Sequence, residues 1–270
     1  MSRTLTFKIL GSGCSTGVPR VDGYWGACDP QNPRNRRTRC SAWFGLRDDA
    51  SPDSLTSVMI DTAPDFREQV LRAGITSMDA VLWTHDHADQ THGLDDIRAM
   101  TFAQGSPIAG YMDGATRESL THRFGYVFQG KMGYPPVCRD HEIPPHGTPW
   151  AITGAGGAMP VLTFDQRHGP IRSVGYRVGD IAYSSDVSEI PEKSFEALAG
   201  LKLWVVDALR YIPHPTHAHL ARALEWIRRV KPQRAVLTNL HQDMDYAALK
   251  SQLPSHVEPA YDQMTFELPL

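Results

Sequence analysis

The stretch Val81–Asp96 reads VLWTHDHADQTHGLDD. Its first residues are apolar and β-prone, as in a buried strand, and the run passes straight into His85-x-His87-x-Asp89. At the end of a strand, two imidazoles and a carboxylate within five residues can fan around one point. That is a metal-ligating pattern. The competing reading is a solvated polar loop with chance histidines, since the chain holds 12 of them. Elsewhere in the chain, further metal-competent residues close apolar runs. His168 follows the run Val161–Phe164, Asp186 ends Asp180–Ser185, and His241 follows Ala235–Leu240. Residues of this kind repeatedly placed just past strands favour a metal centre.

Working outward, short runs of strand length recur at 5–10, 57–60, 80–83, 175–178, 181–183, 203–206 and 235–237. A helix is expected over 65–73, with Gly74 as its stop. Another is expected over 218–230, with Leu220, Leu224 and Ile227 on one stripe and Pro232 beyond the end. Residues 101–150, rich in Gly, Pro and aromatics, read as an insertion over the active-site edge with one short helix at 114–124. No repeat or linker is visible, so 1–270 reads as a single domain of layered α/β type.

The net charge of −3 gives no strong pull toward nucleic acid or anionic membrane. No apolar run reaches the roughly 18–20 residues that span a bilayer. The opening MSRTLTFKIL has no long apolar segment of the secretory kind and reads as a strand. Four separated cysteines without a CxxC pair fit a reduced, cytoplasmic protein, with little support in their spacing for a structural zinc.

The order HDHAD, then HG, YSSD and NLH resembles the metallo-β-lactamase superfamily over almost the whole chain. Leu10–Pro19 (LGSGCSTGVP), Ile60–Arg67 (IDTAPDFR) and Asp180–Asp186 (DIAYSSD) narrow the likeness to the ribonuclease Z and PhnP-like phosphodiesterase branch, the second being nearer. The resemblance implies an αββα sandwich with two divalent metal ions, zinc or manganese, at one edge. His85, His87 and His168 would hold the first ion, Asp89 and His241 would help hold the second, and Asp186 would bridge them. A water or hydroxide between the ions would be the nucleophile. Asp61 would orient a ligand imidazole from behind, although it also reads as a cap before Pro64.

One position departs from the motif. Where the family carries histidine directly after the aspartate, this chain has Gln90. An amide oxygen is a weak, hard donor, so Gln90 is expected to leave the second ion weakly or partly bound and to move its preference toward manganese, magnesium or iron. A mononuclear centre, or His92 standing in, are the other readings.

On the substrate side, His217 sits where the related phosphodiesterases carry a functional histidine, so the resemblance implies it as the proton donor and, with Asp89, as one of the two residues expected at the chemistry. The run Tyr211–His219 also contains His214 and His219, and it reads equally as a Pro-stiffened loop with Thr216 as a cap. The basic run Pro33–Arg39 could bind phosphate or be a solvated loop paired with acids. Gly11–Gly17 lacks the lysine of a P-loop and reads as a tight turn near the metal edge.

The expected activity is metal-dependent hydrolysis of a small phosphate ester, including cyclic ones, by a phosphodiesterase mechanism. The alternatives are hydrolysis of a carboxylic ester, lactone or thioester, or a non-catalytic metal- or nucleotide-binding role suggested by Gln90. The expected partner is the small substrate, with neither nucleic acid nor membrane, and the reading leaves room for a homodimer.

Overall fold

A strand that is apolar on both faces must be covered on both sides, and this chain provides that cover with two sheets packed together and helices outside each. The computed structural model describes residues 3–270. The first sheet takes β1 (Arg3–Gly11), β2 (Ser41–Asp48), β3 (Ser51–Ile60), β4 (Ala80–Leu82), β5 (Ile108–Met112) and β6 (Cys138–Glu142). The second takes β7 (Trp150–Gly154), β8 (Gly157–His168), β9 (Ile171–Val178), β10 (Ile181–Ser184), β11 (Leu203–Asp207), β12 (Arg234–Thr238) and β13 (Val257–Pro259). β14 (Met264–Pro269) returns to pair with β1. The strand orders are β14-β1-β2-β3-β4-β5-β6 and β13-β12-β11-β10-β9-β8-β7. In the first sheet β1 to β3 run antiparallel and β3 to β6 parallel. The second sheet repeats this plan, antiparallel from β7 to β10 and parallel from β10 to β13.

Side-chain alternation explains the layering. On β11, Leu203 and Val205 enter the core between the sheets, while Trp204 and Val206 enter the outer core of the second sheet. On β4, Leu82 points between the sheets and Val81 points outward, with Trp83 just beyond the strand on the same outer side. The outer face of the first sheet is covered by α1 (Phe66–Ala73), α3 (Ile97–Gln104), α4 (Gly114–Arg123) and α5 (Gly125–Gln129), and a single turn, α2 (Ala88–Thr91), follows β4. The second sheet is covered by α6 (Leu220–Val230) and α7 (Tyr246–Gln252), with Ala223, Trp226, Ile227 and Leu249 in the core. The result is an αββα sandwich. Among the described residues, no helix is long and apolar enough to cross a membrane.

Every expected strand run coincides with a strand, and the expected helices lie on α1, α4 and α6. The reading of 101–150 as an insertion needs correction. Its residues supply β5 and β6, which extend the parallel half of the first sheet, and α4 and α5, which pack on it. The cause is the short β5 and β6 runs, whose Gly110 and polar Arg139–Glu142 hide the strand pattern. Gly110 is required there because a Cβ would stand 2.6 Å from both Cys138 Sγ and the Trp83 ring.

Candidate metal centre

The loops that follow β3, β4, β10 and β12 belong to the parallel halves of the sheets, where strand ends gather functional residues. Asp61 follows β3, Thr84 to His87 follow β4, Asp186 follows β10 and Asn239 follows β12, while His168 ends β8 and Asp207 ends β11. Asp61, Asp186 and Asn239 all adopt left-handed backbone, with φ of 61°, 53° and 62°. Asp and Asn tolerate that region better than most residues, and single strained positions of this kind aim side chains out of the ends of strands.

Four of the expected ligands come together. The candidate ligand atoms of His85, His87, His168 and Asp186 all lie within 4.8 Å of one another. His168 Nε2 is 3.2 Å from His87 Nδ1, and Asp186 Oδ2 is 3.7 Å from both His85 Nε2 and His168 Nε2. The back of each buried ring is already held. His168 Nδ1 donates to Thr216 O at 2.7 Å. His85 Nδ1 donates to Thr84 Oγ1 at 3.0 Å, and Thr84 donates in turn to Asp61 Oδ2 at 2.9 Å. Asp61 therefore acts on an imidazole through Thr84. His85 Nε2 is buried and has no hydrogen-bond partner. A lone pair left bare in this way, facing two more imidazoles and a carboxylate, suits a divalent cation.

Burial pushes His85 down to about 3, against the pull of Asp186, so its ring is neutral and fit to ligate. Burial opposes a charge on Asp186 also, but His217, His85 and His168 outweigh it and hold the carboxyl below its ordinary value. Asp89 is raised to about 6 by burial and by the charge of Asp186 beside it. Asp89 and Asp186 thus crowd negative charge on one side of the cluster.

The remaining expected residues divide. His217 packs edge-on against His168, ring centroids 4.6 Å apart, and its Nδ1 donates to Asp207 Oδ2 at 2.8 Å. Burial disfavours its charge, but Asp207, Asp186 and Asp89 overcome that and raise it to about 9. His214 lies beside His217 at 5.2 Å and is bonded to Thr216. His241 is not among the four residues whose ligand atoms lie within 4.8 Å of one another, and its Nδ1 is 3.1 Å from Asp243 Oδ2. His92 points outward to Arg123 at 3.1 Å, so it does not replace Gln90.

Of the basic run, Arg37 is buried and donates to Met244 O and Asn35, Arg39 pairs with Asp65, and Arg34 stacks on Tyr246 and Tyr261. The structural reading of that run holds for these three. The Gly11–Gly17 turn is pinned by Asp262, which accepts from the N–H and hydroxyl of both Ser12 and Thr38. The four cysteines are buried and unbridged. Sequence reasoning missed Asp207, Thr84 and Asn239, which donates to Asp186 Oδ1 at 3.1 Å. Asp207 carried the same signal as Asp186, an acid closing an apolar strand. Thr84 carried none, because a threonine after a strand is ordinary.

The beta-lactamase superfamily domain model matches residues 56–239, more than half of the chain, and takes in His85, His87, His168 and Asp186. The chain belongs to the metallo-β-lactamase superfamily. Within that superfamily it resembles a crystal structure described as a new diphosphatase from the PhnP family. The two are 34% identical with a TM-score of 0.85, covering 100% of this chain and 99% of that one. The Zn2+-bound PqqB of Methylobacterium extorquens shares the fold at 16% identity, with a TM-score of 0.74 over 97% of this chain and 100% of that one. The short form of human tRNase Z does so at 16% identity and a TM-score of 0.64, over 97% and 98%. A protein of Porphyromonas gingivalis named octanoyltransferase is 33% identical over 259 residues, which are 94% of this chain and 50% of that one. The chain spans about half the length of that curated relative. Its His/Asp cluster suits a divalent metal.

Proposed function

We propose that this hydrolase cleaves small phosphate esters: phosphodiesters, cyclic ones included, and the diphosphate links named for its structural relative. The observation that carries the reading is the His217–Asp207 pair beside the ligand cluster. Phosphate ester cleavage needs an attacking water, neutralised phosphoryl oxygens and a proton for the leaving oxygen. Two divalent ions, zinc or manganese, held by His85, His87, His168 and Asp186 with Asp89 and His241 at the second position, would polarise the phosphoryl group and acidify water. The chain's own residues supply the rest. Asp207 holds Nδ1 of His217, which leaves Nε2 to hand its proton to the departing oxygen. Thr84 and Thr216 hold the backs of His85 and His168, so the ligand atoms need little rearrangement.

A second reading, cleavage of an acyl ester or thioester, draws on the name of the Porphyromonas relative. The test is turnover of bis-p-nitrophenyl phosphate, a dinucleotide diphosphate and p-nitrophenyl acetate, each with manganese and with zinc. Phosphoryl substrates are expected to turn over at least a hundredfold faster than the acetate. Acetate turnover alone would replace the phosphoryl reading with the acyl one.

A further inference from the structure

Three of the four candidate ligands are held by hydrogen bonds of their own side chains. Thr84 holds His85, Thr216 O holds His168, and Ser185 Oγ and Asn239 Nδ2 donate to Asp186 Oδ1 at 2.8 Å and 3.1 Å. His87 is different. It is exposed, and among the described residues its ring has a hydrogen-bonding contact with His168 alone, itself a candidate ligand. The direction of the His87 ring must therefore come from the backbone on either side of it.

That backbone is gripped by α4. Ser119 and Arg123 stand four residues apart on one face of the helix. Ser119 Oγ donates to Asp86 Oδ2 at 2.6 Å. Arg123 Nη1 donates to Asp86 O at 2.7 Å and lies 3.5 Å from Asp86 Oδ2. Arg123 Nη2 reaches the far end of the turn, 3.1 Å from His92 Nε2 and 3.4 Å from Thr91 Oγ1. A guanidinium can only donate, so His92 Nε2 accepts and the His92 proton sits on Nδ1. Thr91 Oγ1 donates in turn to His87 O at 2.8 Å. The Phe124 ring packs against both partners, 5.2 Å from the guanidinium carbon and 5.9 Å from the His92 ring. One planar fork thus bridges the two ends of the segment that carries His87 and Asp89.

We infer that Arg123 is a positioning residue for the metal centre, holding the Asp86–His92 turn so that His87 faces the space shared with His85, His168 and Asp186. The inference rests on the metal-centre reading, whichever ester the centre cleaves. Lysine would keep the charge and lose the grip, because one ammonium cannot serve Asp86 O and His92 Nε2 as the two nitrogens of a fork do.

The test is Zn2+ affinity by chelator competition, together with amide hydrogen exchange over residues 85–92. Arg123→Ala is expected to weaken Zn2+ binding about tenfold or more and to speed exchange in that turn. Arg123→Lys should regain little of the loss. The Arg123 side chain is 32% exposed, so its vacated place opens to solvent. Millimolar methylguanidinium should therefore recover affinity several-fold in Arg123→Ala, and urea at the same concentration should not. Arg117→Ala is the control: Arg117 lies on the same helix and pairs with Asp140, so its loss should leave Zn2+ affinity unchanged. Circular dichroism checks folding, and Arg123→Lys, the milder change, decides the case if the alanine variant does not fold. Zn2+ binding unchanged in folded Arg123→Ala or in Arg123→Lys, or an equal loss in Arg117→Ala, would overturn the role of Arg123 and leave the hydrolytic reading standing. Absence of Zn2+ binding in the unaltered chain would instead overturn the metal centre itself.

Discussion

Replacement of Asp207 by asparagine separates proton donation from the rest of the chemistry. Asp207 is fully buried, and one of its oxygens accepts both from His217 Nδ1 at 2.8 Å and from Val187 N at 3.0 Å. Its other oxygen has no partner. An asparagine can place its amide oxygen on the two donors and its NH2 in the unpartnered space, so the ring stays where it is and only the charge is lost. A hydrogen bond to a charged group is worth about 1.5–3 kcal/mol and a neutral one about 0.5–1.5 kcal/mol. The difference of roughly 1–2 kcal/mol corresponds to about a five- to thirtyfold loss in rate. That loss is expected only where the leaving oxygen needs a proton. Steady-state kinetics on an alkyl phosphodiester and on bis-p-nitrophenyl phosphate give the comparison. The alkyl substrate should lose kcat by that factor with KM little changed, and the nitrophenyl substrate should lose almost nothing, because nitrophenolate departs unaided. Equal losses on both substrates would show that Asp207 supports the fold and that His217 is not the proton donor.

Four other outcomes are expected. Thr84→Val keeps the volume but cuts the path from Asp61 to His85, and chelator competition should show metal affinity down about ten- to a hundredfold, with a stability loss of about 1–3 kcal/mol from the two buried polar groups it leaves unpaired. Gly93→Ala would set a Cβ 2.2 Å from Ala63 O and 2.6 Å from Phe66 Cβ, so denaturant unfolding should show a loss of about 1–3 kcal/mol. Trp204→Ala empties a fully buried site whose Nε1 donates to Ser184 Oγ at 3.0 Å, and it should cost about 3–5 kcal/mol by the same measurement. Asp262→Ala strips Ser12 and Thr38 of their shared acceptor. It should cost about 2 kcal/mol or more and speed amide hydrogen exchange in the 11–17 turn.

The His-x-His-x-Asp segment was readable because metal ligation needs particular side chains at short spacing, and the strand before it fixes their directions. The layered architecture was readable because buried strands show as short apolar runs. The stretch 101–150 was misread because Gly110 and the polar residues of β6 break the strand pattern, and only the neighbours β4 and β5 show that these residues complete a sheet.

Chain order alone thus determined which residue types were available to hold a cation and that each closes a strand. Tertiary structure alone decided which of them meet. It brought His168 and Asp186 onto His85 and His87, and supplied Asp207 to His217 from a different strand. Identity and spacing are local properties of a chain. Which donor meets which acceptor is settled only when folding brings the two within about 3 Å of each other.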